Sequence, residues 1–242
     1  MSDRNNSELP SLKYQKSDFV SSVIKAGLGS IPFAGSLLSE VAGNIIPNQR
    51  IDRLIQFAEE LEKKLTNLDK DFVKSQLNNE NFTDLLEEGI RQSARSLTKE
   101  RRQYISSIIF NGLSEEDIKF SESKHLLKIL GEINDVEVIL LRFLSVSTLG
   151  GDEEFREKHK NVIEPKFASL NASQKEIDKV TLQKSYKEHL TLLGLLSRKY
   201  EVDNRTGELK IDKFSRAPKV KSYEITSLGR LLLRHIDLHT DN

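Results

Sequence analysis

The chain has no cysteine and no tryptophan, and only one methionine. Without thiols it can form no disulfide, thiolate nucleophile, iron–sulfur cluster or cysteine-based zinc site. It also lacks net charge: 37 Lys and Arg stand against 37 Asp and Glu. No global field draws it to nucleic acid or to acidic lipid, so any such binding must come from a local patch. No G-x-x-x-x-G-K-[ST], H-E-x-x-H or G-x-S-x-G pattern occurs, which removes three common routes to phosphate binding, zinc proteolysis and acyl transfer. No catalytic residue, cofactor, metal site or small-molecule substrate is evident. An unbroken apolar run of about 20 residues, as a fixed membrane span requires, is missing too.

What is present is a chain of 242 residues, long enough for one large or two small cores. Its 37% hydrophobic and 31% charged content suits a helix-rich, soluble protein. The most apolar and glycine-rich stretch is Phe19 to Pro47, which holds Gly27, Gly29, Gly35 and Gly43 and only two formal charges, Lys25 and Glu40. Pro32 interrupts its helical pattern by removing a backbone donor and crowding the preceding turn. Two short helices are predicted, over residues 17–28 and 34–46, joined by Gly29-Ser30-Ile31-Pro32. On the second, Gly35, Ser39 and Gly43 fall at i, i+4 and i+8, a row of small residues on one face; Leu37 and Leu38 lie on the other side. Such rows let two helix backbones approach closely. One reading makes residues 17–47 a hairpin buried in a soluble bundle. A sharper one lets the hairpin leave the bundle for a bilayer or an oligomer, with Gly27, Gly29, Pro32, Gly35, Leu38, Ser39 and Gly43 as its packing and membrane positions. A secretory signal is not expected, because the run begins far from Met1 and the charges before it are mixed.

Residues 1–12 are polar and read as a flexible tail. After Pro47, Ile51, Leu54, Ala58, Leu61, Leu65, Leu68 and Phe72 keep a 3-4 spacing, which predicts one long helix over 48–77. Helical spacing continues to Val146, with capping residues at Thr98 and Asn134. A boundary is placed at Gly150-Gly151, giving a helical bundle over 13–150 and a second domain over 151–242.

The last third reads differently. A helix over 173–193 should end at Gly194, which can take the left-handed position after a helix. Extended runs follow over 195–202, 209–214 and 220–225, with the turn formers Asp203-Asn204-Arg205-Thr206-Gly207 between the first two. Thr226 then caps a final helix. This order is that of a winged helix, with 195–225 as the wing. The fold expected is therefore mainly α: an N-terminal bundle around a Gly-rich helical hairpin, plus a small C-terminal winged-helix-like module.

The wing region is basic, with eight Lys and Arg against four acids between Leu195 and Lys221. In a winged helix the preceding helix enters the major groove and the wing touches phosphate. Lys184, Lys187, Arg198, Lys199, Arg205, Lys210 and Lys213 are the candidate nucleic-acid or partner contacts. Use of the same surface for protein docking is the competing reading. Other chemistry is thinner. Gly27-x-Gly29 follows a helix and meets Pro32 where a dinucleotide loop needs glycine. His235 and His239 are four apart, but near the chain's end and with no third ligand, so a solvated tail is expected. Asp203 with Glu208-x-Lys210 has the outline of a metal-dependent nuclease motif at short spacing.

The IPNQRIDR segment after the hairpin, the middle segment RRQYISSIIFNGLSEEDIKF…HLLKILGEINDVEVILLRFL and the C-terminal YEITSLGRLLLRHI resemble uncharacterised bacterial helical proteins. They are similar to the abortive-infection alpha group associated with phage defence. The resemblance spans most of the chain and rests on caps and core positions. It implies a helical body, a winged-helix-like C-terminal module and a role in antiviral defence, and it brings no catalytic residue. The leading expectation is thus a non-enzymatic bacterial protein of abortive-infection type, cytoplasmic and membrane-associated on activation through its hairpin. Its partner would be another protein or a second copy, with the membrane and DNA as further candidates. The alternative is a winged-helix DNA-binding regulator, and the third is a metal-dependent nuclease.

Overall fold

A computed structural model describes residues 28–42, 50–114, 120–146, 152–167, 169, 172–213 and 216–238. The predicted tail and first hairpin helix, with Gly27 and Gly43, lie outside them. The described chain is mainly helical, with one small antiparallel sheet of two strands. It divides into two compact units, residues 1–127 and 128–242. That division falls upstream of the glycine pair at 150–151, because the helix before the pair belongs to the C-terminal core.

The N-terminal unit contains α1 (Ala34–Ala42), α2 (Ile51–Leu65), α3 (Lys70–Ser75), α4 (Glu80–Arg95) and α5 (Lys99–Ser114). On α2, Leu54, Phe57, Ala58, Leu61 and Leu65 are buried at i, i+3, i+4 spacing, and this face packs on α1, α4 and α5. The expected long helix over 48–77 is interrupted after Leu65. Asp69 leaves helical geometry and its side chain accepts from Phe72 N–H at 2.7 Å, so a new helix, α3, starts there. The seam is buried only as far as Leu65; Phe72 is 45% exposed. On α4, Phe82, Leu85, Leu86 and Ile90 form the buried face. Gly89 sits where α5 passes, so close that an added Cβ would lie 2.4 Å from Ile109 Cδ1. Helix α6 (Phe120–Glu132) crosses the division. Its first turns belong here, with the Phe120 ring 5.4 Å from that of Phe82.

The C-terminal unit is built on α7 (Asp135–Ser145). Asn134 accepts from Glu137 N–H and Glu137 accepts from Asn134 N–H, a reciprocal cap. Around α7 pack α9 (Lys160–Ile163), α10 (Gln174–Leu192), the sheet and α11 (Ser227–His235); the short α8 (Glu153–Lys158) precedes α9. Residues 153–163 thus form two short helices.

After α10, Gly194 has a φ of 74° and Leu195 N–H closes back on the Leu190 carbonyl, a left-handed helix stop that only glycine takes without strain. The chain then enters β1 (Leu196–Tyr200), which pairs antiparallel with β2 (Val220–Ile225); Arg198 lies opposite Tyr223 and Tyr200 opposite Val220. Beyond Tyr200 the sheet opens to admit residues 209–211. Glu201 N–H donates to the Lys219 carbonyl, Lys219 N–H to that of Lys210, and Lys210 N–H to that of Glu201. This closed triangle explains why the second extended run is held by two bridges, Val202 with Leu209 and Ile211 with Pro218. Thr226 caps α11, accepting from Gly229 N–H and donating to the Gly194 carbonyl. His235, expected in a solvated tail, is instead buried, its Nδ1 3.1 Å from the Leu231 carbonyl. The apolar face of α11 carries it inward beside Leu232 and Ile236.

Candidate nucleic-acid interface

The sequence nominates two places, the hairpin and the basic wing. In the first, Gly29 and Pro32 occupy an exposed turn, while Gly35 and Leu38 are buried. A Cβ on Gly35 would fall 1.9 Å from the Leu28 carbonyl oxygen, so two backbone segments meet at this position. The Ser39 hydroxyl donates to the Gly35 carbonyl at 2.7 Å. The start of α1 is held from α2: the Glu62 carboxylate accepts from Phe33 N–H at 3.1 Å and Ala34 N–H at 2.5 Å. A carboxylate there meets both unpaired donors and the positive end of the helix dipole. Lys70 and Lys74 lie over the outer face of the Phe33 ring. Among the described residues no helix is long and apolar enough to cross a membrane.

The second place resolves into a cleft of about 880 Å³ between α10 and the sheet. Three of the nominated cations line it: Lys184 and Lys187 from α10 and Arg198 from β1. Lys166, Lys219 and Lys221 join them, and the lining carboxylates are Glu188 and Asp212. Lys199, Arg205, Lys210 and Lys213 are not part of the lining. Lys199 lies on the other face of β1 and pairs with Glu224. Arg205 sits in the turn whose backbone N–H donates to Asp203. Lys166 was not legible as a site residue, because its place depends on a side chain far along the chain. Gln183 on α10 donates to the carbonyls of Val162 and Glu164 and accepts from Lys166 N–H, which binds this segment to the cleft wall.

At the cleft's inner end Glu188 accepts from Arg198 and, at 2.5 Å, from the Tyr223 hydroxyl. The hydrogen bonds from Arg198 hold the Glu188 carboxyl below its ordinary range, and Glu188 in turn raises the Arg198 guanidinium. Burial, reinforced by the hydrogen bond to Glu188, pushes the Tyr223 phenol up to about 12. Lys187 has its ammonium 5.9 Å from the centre of the Tyr223 ring, and burial lowers its pKa. Arg198 is thus already neutralised and fixed, and Lys219 is paired with Glu201 at 3.1 Å. Lys184, Lys187 and Lys221 make no ion pair among the described residues. Lys184 acts on the Glu188 carboxylate through space and Lys187 faces the Tyr223 ring, and the wall as a whole carries six cationic side chains against two carboxylates.

The nuclease outline does not gather into a centre. Asp203 spends its carboxylate on the N–H groups of Arg205 and Thr206, which lowers its pKa. No cluster of three His, Asp or Glu able to hold a metal ion occurs among the described residues. No protein-family model matches the chain, and no curated protein or solved structure matches it either. The likeness to the abortive-infection group therefore rests on the segments named above alone.

Proposed function

We propose that the C-terminal unit is a winged-helix-like module, with residues 195–225 as the wing, that holds the phosphate backbone of nucleic acid in its cleft. The observation that carries this reading is the cleft wall, where Lys184, Lys187 and Lys221 stand without ion pairs among the described residues. Phosphates supply the multiple, evenly spaced negative charges such a wall would neutralise. With the resemblance to the abortive-infection group, this makes the chain a non-enzymatic, nucleic-acid-sensing protein of bacterial antiviral defence. It works from the cytoplasm, and its responding element is the apolar hairpin. The clasp of Glu62 on α1 favours that last assignment, since one carboxylate holds the start of a helix whose described face is otherwise apolar. The described helix α1 is held on α2, and the reading has it reach a membrane or a second copy only once released.

The test is the salt dependence of binding to a labelled oligonucleotide, followed by fluorescence anisotropy. Neutralising three phosphates predicts an affinity loss between about 50 and about 200 mM salt of roughly 40-fold on a duplex and roughly 20-fold on a single strand. A protein that binds neither a single strand nor a duplex at the lower salt is not a nucleic-acid sensor.

A further inference from the structure

The cleft does not end at its cations. Tyr200 and Pro218 line it. Val202 is two residues beyond Tyr200 on the same edge, directly opposite Leu209, and Ile211 is two beyond Leu209 and opposite Pro218. Alternate residues of an extended chain face the same side. By that alternation Tyr200, Val202, Leu209 and Ile211 share one apolar face at the opened end of the sheet, adjoining the cleft that Tyr200 and Pro218 line. All four are exposed, Tyr200 by 38% and Ile211 by 51%. The backbone triangle of Glu201, Lys210 and Lys219 holds this apex together.

We infer that the nucleic acid held here is single-stranded, with its phosphates in the cleft and its unstacked bases on Tyr200, Val202, Leu209 and Ile211. The inference rests on the reading of the cleft as a phosphate site. A duplex keeps its bases stacked inside and has nothing apolar to offer the apex. A single strand exposes both chemistries side by side, and single-strand sites combine a cationic groove with aromatic and apolar surface for the bases. An anionic bilayer would also meet both, but it is flat on this scale. Lys184, Lys187 and Lys221 line a concave cleft, which a strand can follow and a flat headgroup plane meets only at its rim.

The experiment uses the full chain and three labelled probes of about 16 nucleotides, which matches the upper single-strand site size per small domain. They are a mixed-sequence single strand, its duplex, and a strand of equal length made of abasic sites. The single strand should bind about tenfold more tightly than either of the others, the gain one stacked base gives. Leu209→Ser with Ile211→Ser should remove that advantage while leaving abasic-strand binding unchanged. These side chains are exposed, so the variant keeps the fold. Equal binding of duplex and single strand, or of abasic and base-bearing strands, overturns the inference and leaves the phosphate cleft standing. Binding of phosphatidylserine vesicles that depends on the apex, without single-strand preference, overturns it as well. Failure to bind any of the three strands brings down the cleft reading and this one together.

Discussion

Glycines at close approaches differ in what surrounds them, and that difference sets their cost. A Cβ at Gly35 meets the Leu28 carbonyl, and one at Gly229 meets the Leu195 carbonyl at 2.5 Å; both obstacles are backbone. At Gly89 the obstacle is the tip of the Ile109 side chain, which can turn aside. Gly35→Ala and Gly229→Ala should therefore each lose about 1–3 kcal/mol, and Gly89→Ala less, in urea unfolding. Equal losses at all three would mean that the backbone yields where it is expected to hold. At the same scale, Tyr223 makes a prediction in pH. Its folded pKa of about 12 lies above the ordinary 10.0, so the fold prefers the protonated phenol. The stability it adds is complete below pH 10 and disappears as pH rises towards 12. The wild type should lose stability over that window more steeply than Tyr223→Phe, which has no phenol to ionise. Chemical denaturation at a series of pH values measures the difference, and parallel curves would show that the environment of Tyr223 does not favour the neutral form.

Among the elements, α1 depends most on a partner outside itself. The N–H of its first residue, Ala34, and that of Phe33 just before it are met by Glu62 from α2. Loss of a helix N-cap costs about 1 kcal/mol. Glu62→Ala should cost about that much or somewhat more, because charge against the helix dipole is lost as well. Glu62→Gln should cost less, and an unfolding curve unmoved by either would remove the clasp. This contact also shows what the sequence could and could not disclose. Local chemistry was legible: Thr98, Asn134 and Thr226 all cap helices, Gly194 stops α10, and β2 runs over the six residues expected of it. Chemistry that depends on distant partners was not. Glu62 reads as one more charge on an amphipathic helix. The seam from Ile51 to Phe72 keeps its period through a break, because periodicity reports a face and says nothing of the Asp69 cap that interrupts it. The cleft was half legible. Its lysines on α10 stand in the basic part of the sequence, but the neutralisation of Arg198 and the arrival of Lys166 depend on Glu188 and Gln183, whose roles appear only once α10 and the sheet are brought together.

At the scale of the whole molecule, a chain with no net charge can bind a polyanion only by concentrating cations, and the cleft is where the described chain does so. The claim that matters is that binding runs through that concave wall and not through the general basicity of α10. Lys184 and Lys187 line the cleft, whereas Lys175 and Lys179 stand exposed on the same helix outside it. The double variants Lys184→Glu with Lys187→Glu and Lys175→Glu with Lys179→Glu change the net charge equally. Their affinities for one single-stranded oligonucleotide, measured by anisotropy across a salt series, separate the two cases. The first pair should lose at least about tenfold in affinity and reduce the salt slope by about 1.4, roughly 0.7 for each phosphate contact removed from a single strand, while the second changes little. Equal losses from the two pairs, or none from the first, would contradict the account.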